Sequence, residues 1–139
     1  MIDKVRLEAY LAKVTQRFSV REAHAILAKF MCRCLLLVQH ILPEVGRNAL
    51  NVAKVFWLEG GGQAEALLAA RVECWKYLDE KNGSTNIQDL EDKAMRALIC
   101  VLYAEPEDDE FSVETVRWFF DLFNQIGNYS DETIHYMDI

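Results

Sequence analysis

The chain has 139 residues, of which 52% are hydrophobic and 27% charged, and its formal net charge is −7. A domain of this length buries enough surface to form a core without disulfide or metal staples, and no apolar run reaches the roughly 18 residues of a membrane span. The charge is lopsided, with net +2 over residues 1–80 and net −9 over residues 81–139, which repels nucleic acid and steers a partner of opposite sign.

Apolar residues recur at helical spacing throughout, and no segment alternates as a strand would. The expected fold is all-α, a single domain over residues 1–139 built as a bundle or short stack of about six helices. The first helix is expected over residues 2–16, with Ile2, Val5, Ala9 and Ala12 or Lys13 tracing its apolar face. This N-terminal stretch mixes charge with apolar residues and lacks a signal-peptide core, so a cytoplasmic protein is expected. Ser19-Val20-Arg21-Glu22 is a capping box, in which serine caps the Glu22 amide and glutamate reaches back. It opens a long second helix that extends to about Leu42, where Pro43 ends or kinks it. The third helix runs from Val45 to Leu58 and stops at Gly60-Gly61-Gly62.

The fourth helix is expected from Gln63 to Glu80, with Leu67, Leu68, Val72, Trp75 and Leu78 sharing a face. Asn82-Gly83-Ser84 closes it. The fifth runs from Ile87 to Tyr103, with Leu90, Ala94, Ala97, Leu98, Val101 and Leu102 inward. Ser112 is the expected N-cap of the sixth, with Phe111 and Val116 as a hydrophobic staple. Val116, Phe119, Phe120 and Phe123 form its apolar face, and Gly127 stops it. One further turn is expected after Ser130.

Between the fifth and sixth helices stands Glu105-Pro106-Glu107-Asp108-Asp109-Glu110. Acids just before a helix complement its N-terminal dipole, which accounts for part of this cluster. The remainder is costly, because like charges this close repel, and the spacing is not that of a calcium loop. The preferred reading is a binding patch for a basic protein.

The other motifs carry less. The triple glycine follows a helix and precedes no Lys-Ser/Thr, so it reads as a connector and not a phosphate cradle. Glu132 and His135 have the ExxH spacing of di-metal bundles, which need two copies, and only one is present; no metal and no cofactor are expected. Cys32, Cys34, Cys74 and Cys100 form no CxxC pair and read as buried free thiols. Trp57, Trp75 and Trp118 sit at apolar helical positions, with core packing the default and an exposed binding anchor the alternative for one of them. Arg33 and His40 stand seven apart, on one face of the expected second helix. They resemble the RxxxxxxH pattern of HEPN ribonucleases, although Cys34 stands where that family often has a polar residue. That resemblance implies RNA cleavage, with the arginine on phosphate and the histidine transferring protons.

The segment ARVECWKYLDEKNGSTNIQDLEDKA, residues 70–94, carries a second resemblance. Its Cys74-Trp75 pair on an alanine-rich helix, the following Tyr77 and Leu78, the polar gap and the Ile87/Leu90 helix start are similar to all-helical immunity proteins of bacterial polymorphic-toxin and contact-dependent inhibition systems. Trp118, after the acidic loop, matches the later tryptophan of that pattern, whereas Tyr77 stands where a second tryptophan is expected. The match covers about residues 64–126. It implies a non-enzymatic protein that binds and blocks one cognate toxin domain; no nucleic-acid and no membrane partner is expected, and the protein is expected to be a monomer or homodimer. Many such toxins are nucleases with basic surfaces. The toxin-binding candidates are then Glu105, Glu107, Asp108, Asp109, Glu110, Glu114, Asp121 and Trp118, with Asp89, Glu91 and Asp92 as a second tier. A generic helical adaptor or oligomer subunit is the remaining class.

Overall fold

The computed structural model describes residues 2–83 and 86–137. Among them are seven α-helices: α1 Lys4–Arg17, α2 Val20–Leu37, α3 Glu44–Trp57, α4 Ala64–Lys81, α5 Leu90–Ile99, α6 Phe111–Ile126 and α7 Ser130–Tyr136, with a 3-10 turn at Gln39–Ile41. The all-α expectation holds, and the extra turn after Ser130 is α7.

Helix α2 is the hub, touching α1, α3, α5, α6 and α7. Its capping box forms as expected: the Glu22 amide donates to Ser19 Oγ and the Ser19 amide to Glu22 Oε1, both at 3.2 Å. Its sides bury Leu27, Phe30, Met31, Cys32, Cys34 and Leu35, each large apolar side chain contributing roughly 1.5–3 kcal/mol. Helix α5 is the second interior element, packing on α2, α3, α4 and α6. From Ala97 to Leu102 every residue is buried. Phe30, Phe119, Phe120 and Phe123 join α2 to α6, with the Phe30 and Phe120 ring centroids 5.5 Å apart. Gly46 in α3 marks a close approach, since a Cβ there would stand 2.7 Å from Met95 Sδ of α5.

Several expectations shift. The apolar face of α1 is Leu7, Tyr10, Leu11 and Val14, while Val5 is 77% exposed. The larger side chains form the better stripe at spacings of three and four, and the alanines give too little area to orient the helix. Helix α2 ends at Leu37, before Pro43, which instead sits at the N-terminus of α3. Helix α4 fully buries only its narrow Leu67–Cys74–Leu78 stripe, leaving Leu68 and Val72 exposed; it lies on the outside, against α3 and α5. Helix α5 begins at Leu90 because Asp89 caps it, accepting from the Asp92 amide at 2.9 Å. It ends at Ile99, where the amides of Cys100, Val101 and Leu102 bond three residues back and tighten the last turn. Gly83 (φ +84°) follows α4 as expected, while Ser84 of that closing signal lies outside the described residues.

Candidate functional site

The acidic segment is held from beneath by side chains of three helices. Beyond α5 the chain has helix-terminal carbonyls with no intrahelical donor. Trp57 Nε1 of α3 donates to the Val101 carbonyl at 2.8 Å. Arg71 Nη1 of α4 donates to the Leu102 carbonyl at 3.2 Å, with its guanidinium 4.0 Å from the Tyr103 ring centre. His24 Nε2 of α2 lies 2.7 Å from the Tyr103 carbonyl. A carbonyl only accepts, so Nε2 carries the proton, and Nδ1 of the neutral ring accepts from the Ser112 hydroxyl at 2.7 Å.

One buried imidazole thereby grips both ends of the loop between Tyr103 and Ser112. Burial pushes its pKa down, against the opposing pull of the Tyr103 carbonyl and the Glu105 charge. Trp57 packs on it edge-on and Phe111 at a tilt, with centroids 5.7 and 5.9 Å away. Ser112 is therefore not the N-cap expected of it. Helix α6 starts at Phe111, and Asp108 organises the entry, its carboxylate accepting from the Glu110 amide at 3.0 Å. Sequence reasoning passed over His24. The available signal was a polar ring between Ala23 and Leu27 on the inward side of a capped helix.

On this frame, Glu105, Glu107, Asp108, Asp109 and Glu110 are all exposed. Glu105 pairs with Arg21 at 2.8 Å, both well exposed, an arrangement that contributes little to stability. Among the described residues Glu107, Asp108, Asp109 and Glu110 form no ion pair. They form a ridge of uncompensated negative charge.

The ridge borders a cleft of about 400 Å³ between α4, α5 and α6. Trp75 and Trp118 form its aromatic walls, Tyr103 and Phe111 its inner end, and Asp108, Glu110 and Glu114 its acidic rim. The Arg96 guanidinium stands 5.0 Å from the Trp75 ring centre and 6.0 Å from that of Trp118. Trp118 is 42% exposed, unlike Trp57 in the core. It is the most exposed of the three tryptophans.

The remaining candidates fall elsewhere. Glu114 is on the rim but already pairs with Arg117 at 2.6 Å, which also holds Glu8 at 2.7 Å. Asp121 lines a separate groove with Lys4, Glu8 and Arg117. The second-tier acids are internal partners: Lys81 Nζ reaches Asp89, Glu91 and Asp92 at 3.0–3.1 Å. Asp92 is fully buried and also accepts from Asn82 Nδ2 at 2.6 Å and the Gln88 amide at 2.9 Å. Burial alone would depress the Lys81 pKa, but its bonds to Asp92, Asp89 and Glu91 outweigh that and raise it. These residues staple α4 to α5.

Arg33 is exposed on α2, while His40 lies on the 3-10 turn beyond that helix. The single helix face expected to align them is absent. All four cysteines are free and buried, and burial pushes each thiol up to about 12. Among the described residues no three His, Cys, Asp or Glu side chains gather as metal ligands, and no helix is long and apolar enough to cross a membrane. No family model, curated protein or solved structure matches the chain.

Proposed function

We propose that this chain is an immunity-type protein that binds a basic toxin domain in the cytoplasm and neutralises it without chemistry of its own. The observation that carries this reading is the unpaired ridge Glu107–Glu110, mounted on a clamped loop beside the exposed Trp118. A folded protein ordinarily disperses or pairs its carboxylates. A ridge that does neither steers an oppositely charged partner, raising its association rate in a salt-dependent way. A neighbouring aromatic anchor, once desolvated, lengthens the lifetime of the complex. A nuclease-type toxin presents the matching surface, since its own substrate is a polyanion. The resemblance of residues 64–126 to all-helical immunity proteins agrees with this reading.

The test is co-expression with the candidate toxin domain encoded beside this chain, scored for growth and for co-purification at two salt concentrations. Rescued growth, with a complex that weakens in salt, supports the proposal. Asp108→Lys/Asp109→Lys is expected to slow association by at least tenfold at low salt and to flatten the salt dependence. Persistent toxicity with no complex, or a charge reversal without effect on binding, refutes it.

A further inference from the structure

We propose that the cleft between Trp75 and Trp118 receives one arginine side chain of the basic partner, and receives lysine poorly. This inference rests on the binding role proposed above and gives its contact chemistry. The ridge alone would attract any cation and would not distinguish the two residues. The cleft differs because two indoles stand on its walls and three carboxylates, Asp108, Glu110 and Glu114, on its rim. A planar guanidinium can lie on an indole while its fork of N–H groups meets carboxylates, whereas an ammonium is a compact, strongly hydrated point charge.

The protein already uses this packing twice at the same place. Arg96 stands over Trp75, and Arg71 lies 4.0 Å from the Tyr103 ring centre. Trp118 is the wall with ring surface to spare, being 42% exposed and 6.0 Å from the Arg96 guanidinium. Among the described residues Asp108 and Glu110 form no ion pair at the rim, so a second guanidinium meets an excess of negative charge despite Arg96. A volume of about 400 Å³ suits one long side chain better than a whole element of structure.

The experiment titrates the full-length protein with hexa-arginine and hexa-lysine, which carry equal charge, following binding calorimetrically and by tryptophan fluorescence. The expected result is hexa-arginine binding about tenfold tighter. Trp118→Leu should bring the two peptides to parity by weakening only hexa-arginine, and the fluorescence change should fall to what Trp75 alone contributes. Circular dichroism of the variant verifies that its helices are intact, which the exposure of Trp118 favours. Equal affinities for the two peptides in the wild-type protein, or an arginine preference that survives Trp118→Leu, overturns the cleft assignment. Neither result touches the toxin-neutralising role, which is tested separately by growth rescue and by charge reversal at Asp108 and Asp109.

Discussion

Replacing His24 by alanine tests the frame beneath the acidic loop. The substitution leaves the part-buried Tyr103 carbonyl without its donor and the buried Ser112 hydroxyl without its acceptor. Each orphaned group costs about 1–3 kcal/mol. The lost ring contacts with Trp57 and Phe111 add roughly 0.5–1.5 kcal/mol, and partial relaxation with entry of water offsets some of the total. The expected loss is about 3 kcal/mol, a large share of the roughly 5–15 kcal/mol of a typical domain. Urea unfolding followed by circular dichroism reads it directly. With an m-value of about 1.5 kcal/mol/M, the midpoint falls by roughly 2 M. Ser112→Ala alone should cost about 1 kcal/mol, and the double variant should cost less than the sum, because both substitutions remove the same bond. Proteolytic cutting between 104 and 110 should accelerate in His24→Ala beyond what global destabilisation accounts for. A midpoint shift under about 0.5 M, with additive single variants, would refute the clamp.

Three further outcomes are expected. Because burial lowers the His24 pKa in the folded state, the unfolded chain binds the extra proton first. The stability from this residue is therefore complete above about pH 6.5 and declines as pH falls from there through the folded pKa; stability measured across this window should lose that slope in His24→Asn, and an unchanged slope contradicts the assignment. Asp92→Ala should cost about 2–4 kcal/mol by stranding Asn82 and the Gln88 amide, read as a thermal midpoint lowered by roughly 10 °C, whereas a near-neutral effect would show that the Lys81 staple is dispensable. A thiol reagent should leave the native protein almost unlabelled near pH 8 and modify all four cysteines after denaturation, and rapid labelling of any native thiol would contradict their burial.

The helical architecture was legible from local signals of high information. The Ser19–Glu22 capping box, the phenylalanines of α6 and the stop at Gly127 each act within a few residues, and each is found where expected. The errors arose where a choice depended on distant parts of the chain. Leu68 and Val72 fit the periodicity of α4, yet the helix has neighbours on one side only, and small Cys74 is buried in their place. Ser112 is a sound N-cap by composition, but a histidine 88 residues away takes its hydroxyl. The acidic loop and the exposure of one tryptophan were legible. That Trp75 and Trp118 flank a common cleft was not, because they come from different helices brought together by α5. The standing of Asp92 as a structural carboxylate was equally invisible, since it depends on donors from Lys81 and Asn82 across a turn.

The three tethered carbonyls at Val101, Leu102 and Tyr103 have a consequence for how such a protein can diversify. The anchors that set the loop's course lie at its two ends and in α2, α3 and α4. Residues 105 to 110 contribute nothing to the buried core. Apart from Asp108, whose carboxylate organises the entry to α6, the side chains of this segment can be exchanged while the bundle that presents it keeps the same folding code. On the binding role proposed above, recognition and stability would rest largely on separate residues, with Asp108, which also organises the entry to α6, shared between them.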